Sequence, residues 1–487
     1  MEDLPLVLSH AYINGQWIAA DNGATLSVVN PANGALITEV PDMGAREAQA
    51  AVVAADKALQ GWRKTTAKHR ANLLKAWFEL IVEHADALAK LLTTEQGKPY
   101  KEAYGEVIYG ASFIEWFAEE AKRTYGDHIP AAMPGNRYLT IKQPVGVVTA
   151  ITPWNFPVAM ITRKVGPALA AGCTVVVKPG EDTPLCALAM AKLAEQAGIP
   201  AGVINVVTTA RPAEVGEVLC THPLVRKVSF TGSTPVGKHI LRQAADTVKK
   251  VSMELGGNAP FIVFDDADLD KAVQGALISK YRNAGQTCVC TNRLYIHDAV
   301  YDQFMARYIG AVADLKLGDG LADGTEIGPL INARAVAKVD ALVAEAISQG
   351  ANLVLGGQIA DVGEQYYQPT ILSDVTEQMN IAHQELFGPV TTVFRFNDEQ
   401  DVIRRANDTP YGLAAYFYSR DNSRIWRVSE ALEYGIIGIN EGIISTEVAP
   451  FGGVKESGCG REGSKYGIED YLEIKYLCLG VDQSPQY

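Results

Sequence analysis

A chain of 487 residues with 48% hydrophobic content is too long for one ordinary core, so two or three domains are expected. A formal net charge of −13 excludes the general basic footprint of a nucleic-acid binder and leaves any anionic substrate to be held by a few local arginines. Seven scattered cysteines and eight dispersed histidines show neither a disulfide framework nor paired zinc-ligand spacing, which points to a reducing compartment and away from a metal site.

The apolar stretch Leu4 to Leu8 is short, contains Pro5 and follows no cationic region, so it does not read as a signal peptide. No apolar run approaches membrane-spanning length, and a soluble, cytoplasmic protein with no membrane partner is expected. Three long helical patterns come next, at 46–61, 67–95 and 99–124. In the second, Leu73, Leu74, Trp77, Leu80, Ile81 and His84 recur at helical spacing and read as scaffold. Residues 125–136 read as a loop, and 137–142 alternate like a half-exposed strand.

The period then changes. Strands are predicted at Val145–Ile151, Thr174–Lys178, Val203–Val207, Arg226–Phe230 and Lys249–Met253, with helices near 158–170, 183–197, 212–220 and 235–246. This alternation predicts an α/β fold with parallel pairing and helices on both faces. Gly256-Gly257 interrupts the pattern and marks a boundary at 254–258. A second alternating series follows. It has strands at 261–264, 293–297, 390–396, 413–418 and 436–440, and helices at 268–283, 298–314, 333–349, 399–407 and 422–433. The tail 468–479 reads as one more strand.

Chemistry concentrates at Cys288, the end of Tyr-Arg-Asn-Ala-Gly-Gln-Thr-Cys, and at Glu254, which opens Glu-Leu-Gly-Gly-Asn. A cysteine thiolate can attack a carbonyl carbon, and a carboxylate can then activate the water that frees the product. Taken alone, Cys288 reads as a small buried hydrophobe and Glu254 as a surface carboxylate.

Two glycine motifs mislead. Gly458-Cys-Gly-Arg-Glu-Gly463 matches a dinucleotide fingerprint only formally, because a Gly-rich loop precedes it and the chain soon ends; it reads as chance or a turn. Gly232-Ser-Thr-Pro-Val-Gly-Lys238 nearly spells a phosphate loop, but His239 stands where Ser or Thr would bind magnesium. That weakens an ATP-using enzyme as an alternative. The helix start there can still face a dinucleotide pyrophosphate.

Pro153-Trp-Asn-Phe-Pro157, Lys178-Pro-Gly-Glu181, Phe230-Thr-Gly-Ser233, Glu254-Leu-Gly-Gly-Asn258, Gly285-Gln-Thr-Cys288, Glu385-Leu-Phe-Gly-Pro389 and Pro450-Phe-Gly-Gly-Val-Lys455 occur in one order along the chain. Together they resemble the aldehyde dehydrogenase superfamily. The stretches around Cys288 and the ending Gly-Arg-Glu-Gly-Ser-Lys-Tyr-Gly-Ile-Glu-Asp-Tyr resemble its succinate-semialdehyde branch most. The resemblance implies a Rossmann-like cofactor domain (1–124 with 145–254), an α/β catalytic domain (255–467) and a small oligomerisation β-hairpin (125–144 with 468–487). It implies a homodimer or homotetramer.

By the same resemblance, Cys288 is the nucleophile, Asn155 and the Cys288 backbone N–H hold the oxyanion, and Glu254 activates water. Trp154, Lys178, Glu181, Gly232, Ser233, Leu255 and Glu385 would contact NAD or NADP. Glu181 tilts the choice toward NAD, since a carboxylate accepts bonds from ribose hydroxyls and repels a 2′-phosphate. Arg163, Arg282 and Ser445 are nominated for the carboxylate tail of the aldehyde, because a guanidinium fork matches a carboxylate. Succinate semialdehyde is the expected substrate, with glutarate semialdehyde or another ω-carboxy aldehyde as alternative; a third reading is a thiol esterase, in which an acyl-enzyme and a base hydrolyse activated esters as a side activity. Cys290, two positions beyond the nucleophile, is a candidate for a reversible disulfide with it.

Overall fold

The computed structural model describes residues 6–481; Leu4 and Pro5 of the N-terminal stretch and the end of the 468–487 segment lie outside the described residues. The strands Val147–Ile151 and Thr174–Lys178 are buried at every position. Such unbroken burial belongs to parallel strands covered on both faces. They sit in an eight-stranded sheet whose parallel centre runs Lys250–Glu254, Val225–Thr231, Val147–Ile151, Thr174–Lys178, Ile204–Val206. The helices Ala159–Ala171, Leu185–Gln196, Pro212–Thr221 and Thr234–Ala245 connect these strands, as the alternation predicts.

One apolar cluster joins a face of this sheet to the long helices before residue 121, and a second covers the opposite face under the helix Ala45–Trp62. The expected helix over 67–95 is two helices, Ala67–Glu83 and Ala85–Gln96. His84 breaks them with φ −97° and ψ 16°, its Nδ1 2.9 Å from the Leu80 carbonyl. The apolar spacing runs on across the break, so periodicity alone merges the two.

The second sheet has seven strands, ordered Asn352–Leu355, Thr370–Ser373, Val390–Phe396, Thr291–His297, Ala259–Val263, Ala414–Tyr418, Ile436–Ile439. All pairs are parallel except that of the first edge strand. The edge strand Asn352–Leu355 and Thr370–Ser373 have four residues each, too few to show a period in sequence. The tail strand Leu472–Gly480 pairs antiparallel with Asn136–Pro144, which also pairs with His128–Ile129.

One segment departs from the expected division. Gly458 and Cys459 leave the second unit and pair antiparallel with Glu254 and Met253 in the first sheet. A Cβ on Gly458 would fall 1.8 Å from the Met253 carbonyl oxygen, and its φ is +130°, so glycine alone permits the approach. The stretch 255–467 therefore does not map onto one sheet. Among the described residues no helix is long and apolar enough to cross a membrane.

Candidate active site

The parallel strands of the first sheet deliver their carboxyl ends to one edge. Ile151 leads into the turn holding Trp154 and Asn155, Lys178 ends its strand, Thr231 leads to Gly232-Ser233, and Glu254 is the last residue of its strand. Ligands of open α/β sheets gather at such edges. From the second unit, the helix Leu269–Tyr281 ends and the chain passes through Asn283, Ala284 and Gly285 at φ 53°, 54° and 75°. Gly285 is pressed so close to Gly388 that a Cβ would lie 2.2 Å from its oxygen. A turn then presents Cys288, closed by the Cys290 N–H donating to the Thr287 carbonyl at 3.2 Å.

Cys288 is a wall shared by two cavities. The first, about 420 Å³, is lined by Trp154, Asn155, Gly232, Ser233, Leu255 and Glu385, among others. The second, about 290 Å³, is lined by Tyr109, Phe156, Arg163, Arg282 and Ser445, among others. The structure thus brings together five of the expected cofactor contacts on one side of the thiol and the three expected anion contacts on the other. Lys178 and Glu181 stand outside the first lining, ion-paired at 2.5 Å. Their turn packs behind Pro153-Trp154, where a Cβ on Gly180 would meet the Trp154 nitrogen at 2.9 Å.

Burial pushes the Cys288 thiol up to about 12; Arg163 and Arg282 draw it down, and Glu385 and Glu254 oppose them. The resting sulfur is therefore a thiol that needs a base. Asn155 is buried; its Nδ2 donates to the Gln286 carbonyl at 3.0 Å, leaving one amide hydrogen uncommitted, and its Oδ1 has no partner. Glu385 accepts the Gly257 N–H at 2.9 Å, and burial raises its carboxyl to about 7. Gly257 itself lies against Cys288, where a Cβ would sit 2.4 Å from the Cys288 oxygen.

Glu254 is buried and lines neither cavity; its Oε2 has no hydrogen-bond partner. Its side chain must rotate to meet a substrate. Burial first, and then the neighbouring Glu462, hold its carboxyl well above the usual range, against the pull of Arg163, Lys164 and Arg461. Glu462 is the ionised partner: Arg163 Nε lies 2.8 Å and Lys164 Nζ 2.5 Å from its oxygens. Arg163 is thus already neutralised, although its Nη2 has no partner and its guanidinium stacks 3.9 Å above Phe451.

Two expectations change here, and the reading against a phosphate loop stands. Arg163 is an ion-paired wall of the cavity rather than a free clamp. Cys290 lines neither cavity; its sulfur lies 3.3 Å from Lys280 Nζ, and it and Cys288 are both free thiols. Lys238 of the near phosphate loop pairs with Glu456 at 2.7 Å and lines neither cavity, so no phosphate loop is built. Sequence reasoning missed Lys164 and Glu462. The signal was present: the helix Ala159–Ala171 is buried at every residue, and two adjacent cations in such a helix demand a buried counter-ion. That counter-ion sits in the glycine motif read as chance.

The model of the family described as "Aldehyde dehydrogenase family" matches residues 17–477. The chain belongs to the aldehyde dehydrogenase family. Succinate-semialdehyde dehydrogenase [NADP(+)] GabD of Escherichia coli strain K12 is 61% identical over 99% of this chain and 100% of its own. Glutarate-semialdehyde dehydrogenase of Pseudomonas putida is 60% identical over 99% and 100%. The crystal structure of succinate-semialdehyde dehydrogenase from Burkholderia pseudomallei superposes with a TM-score of 0.97 at 57% identity, covering 99% of this chain and 100% of that one.

As an aldehyde dehydrogenase, the protein is an oxidoreductase that works with a nicotinamide dinucleotide. The first cavity fits one. The helix Thr234–Ala245 begins at its wall with Pro235 in the first turn and no side-chain cap from Ser233, which leaves backbone donors for a pyrophosphate. The buried Thr231 hydroxyl on the same wall has no partner. Among the described residues no group of three or more His, Cys, Asp or Glu is placed to hold a metal ion.

Proposed function

We propose that this aldehyde dehydrogenase oxidises short aldehydes with an anionic tail, succinate semialdehyde foremost and glutarate semialdehyde next. The carrying observation is that Arg282, Arg163 and Ser445 line one small cavity with Cys288. Glu462 neutralises Arg163, and burial raises the carboxyl of Glu102 on the same lining toward its neutral form. Arg282 therefore supplies the charge that meets the tail, while Arg163 Nη2 and Ser445 add hydrogen bonds. The relatives named above act on these two aldehydes. One methylene is worth only about 1–3 kcal/mol of discrimination, so activity on both is expected.

In this reading the Cys288 thiol gives its proton to solvent water, and the thiolate attacks the aldehyde carbon, forming the C–S bond as the carbonyl π pair moves onto oxygen. The oxyanion is held by the free amide hydrogen of Asn155 and the Cys288 N–H; one such donor is worth about 10²–10³ in rate. Glu385 and Trp154 line the first cavity and would hold the nicotinamide end of the dinucleotide, which when bound would supply the hydride acceptor. Glu254 rotates in and takes a proton from the water that hydrolyses the thioester. Hydrolysis of activated esters through the same Cys288 acyl-enzyme is a side activity of these groups.

The test is the rate of nicotinamide reduction across a panel of aldehydes. Arg282→Leu raises KM for succinate semialdehyde about 10- to 100-fold, the worth of one charge-assisted hydrogen bond, and leaves KM for propanal within about threefold. An equal effect on both aldehydes would remove the anionic tail from this account.

For the cofactor, the E. coli relative is named for NADP, and the lean toward NAD rests on Glu181 alone. With Lys178 held by Glu181, a 2′-phosphate would meet a carboxylate where the ribose hydroxyls bind. Glu181→Ser is expected to shift the ratio of kcat/KM values toward NADP by about tenfold or more, which is one charge interaction of about 1.4 kcal/mol. No shift would leave NADP as the preferred reading.

The assembly reading is a homodimer or homotetramer. The strand Leu472–Gly480 pairs along one side only and exposes Ile474 (67%) and Tyr476 (58%). A strand edge left unpaired among the described residues and carrying these exposed apolar side chains invites pairing with another copy. Light scattering should give two or four chain masses, and Tyr476→Lys should lower the value. The free cysteines and reactive thiol suit a reducing, cytoplasmic setting.

A further inference from the structure

Lys98 is a fully buried ammonium that touches neither cavity and takes no part in the chemistry above. It donates to Glu106 Oε2 at 2.5 Å and to the backbone carbonyl of Asn155 at 2.8 Å, and it lies 3.8 Å from the centroid of the Phe156 ring. Glu106 turns its other oxygen to the N–H groups of Val158 and Ala159, at 3.0 and 3.3 Å. These are the opening donors of the helix that carries Arg163 and Lys164.

The same Asn155 carbonyl accepts from Asn283 Nδ2 at 3.0 Å, and that nitrogen also meets the Gln286 carbonyl at 3.1 Å. Gln96 closes the ring: its Nε2 donates to Asn283 Oδ1 and its Oε1 accepts the Lys98 N–H, both at 3.0 Å. The Asn283 N–H reaches Glu102 Oε2 at 2.7 Å. Three separate segments, 96–106, 155–159 and 283–286, are thereby tied at one carbonyl. Two of them carry the parts that hold the oxyanion, the Asn155 amide and the turn of Cys288.

We propose that Lys98 is a positioning residue for the oxyanion amide, aiming Asn155 at Cys288 by holding the Asn155 carbonyl from behind. This rests on the mechanism above. The structure explains why a cation stands there. Burying a paired ammonium adds little stability that a well-packed apolar side chain would not match. It does supply a strong donor that a carbonyl already shared with Asn283 needs to stay in one orientation. A displacement near 1 Å at such a site costs on the order of 10² in rate.

The experiment combines Lys98→Met with Glu106→Gln, so that no lone charge is left buried and the introduced amide oxygen can still accept the Val158 N–H; Glu106→Gln alone is the control. Each folded, purified enzyme is read three ways: kcat on the best aldehyde of the parent enzyme, the rate of Cys288 alkylation by iodoacetamide, in which no oxyanion forms, and the Kd of the nicotinamide cofactor. The double variant should lose about 30- to 100-fold in kcat, with KM, alkylation rate and cofactor Kd within about threefold of the parent. Glu106→Gln alone should lose less than the double variant, and Lys98→Arg, which keeps a charged donor, should retain more activity than the double variant. If the double variant does not fold, Lys98→Gln combined with Glu106→Gln, which also leaves no lone charge buried, is read in the same assays against the same limits. A kcat within threefold of the parent overturns the proposal, and so does an alkylation rate that falls in step with kcat, which would mark a loosened Cys288 turn. Because the parent's own best aldehyde is used, an error in the identity of the substrate would not imitate either result.

Discussion

Replacing Cys288 by alanine lowers aldehyde oxidation by about 10⁴-fold or more while the fold and cofactor binding persist. The expectation follows from where the sulfur sits. It is the one side chain capable of covalent attack that lines both cavities. Serine would not restore activity, because no neighbouring imidazole is present to activate a hydroxyl; the lining residues include no histidine. The assay is nicotinamide reduction with succinate semialdehyde, beside thermal unfolding and cofactor binding of the same sample. Oxidation by Cys288→Ala at a tenth of the parental rate would place the nucleophile elsewhere. Cys290 would be a poor substitute, because its thiol is held against Lys280 and raised by burial. Cys288 also explains how a strongly anionic protein can process an anionic aldehyde. With Arg163 paired to Glu462, the uncompensated positive charge beside the sulfur is that of Arg282, which offsets locally a chain whose formal net charge is −13.

The parts of this arrangement that were legible in sequence are those with a short-range signature. Fully buried strands such as Thr174–Lys178 announce themselves as β-branched runs, and their alternation with helices fixes a parallel sheet. Once the strands are placed, Asn155, Gly232 and Glu254 must lie at their carboxyl ends. What could not be read is what depends on contacts between distant segments. Glu462 meets Lys164 across 298 positions, and Asn283 meets Gln96 across 187. Nothing local marks either pair. Gly458 looked like part of a spurious fingerprint because its purpose, a close antiparallel approach to Met253, exists only after folding. The orientation of Glu254 is of the same kind. Its place at a strand end is a local fact, but that it lines neither cavity, and that Arg163, Lys164, Arg461 and Glu462 act on its charge, depends on segments that meet only after folding.

That orientation gives Glu254→Gln its expected consequence. Glutamine preserves size and the hydrogen-bonding oxygen but cannot take a proton from water, so acyl transfer to Cys288 survives and hydrolysis does not. Rapid mixing should show a burst of about one reduced nicotinamide per chain, followed by a steady rate lower by about 10²- to 10⁴-fold. Mass spectrometry should find the acyl group on the peptide containing Cys288. The pH dependence follows from the raised carboxyl. Only the ionised form accepts a proton, and burial with Glu462 nearby favours the neutral form, so hydrolysis by the parent enzyme slows as pH falls through that elevated value and quickens above it. Glu254→Gln should lose this limb of the profile altogether. The two carboxylates divide their roles by surroundings. Glu462 is kept ionised by Lys164 and Arg163 and cannot easily accept a proton, whereas burial and Glu462 itself hold the Glu254 carboxyl well above the usual carboxylate range, so it accepts one more readily. Glu462→Gln therefore acts in the opposite direction on the profile. Removing the neighbouring negative charge lowers the Glu254 carboxyl and moves the parental limb to lower pH. A limb that stayed in place in Glu462→Gln, or one that survived in Glu254→Gln, would show that some other group takes the proton from water.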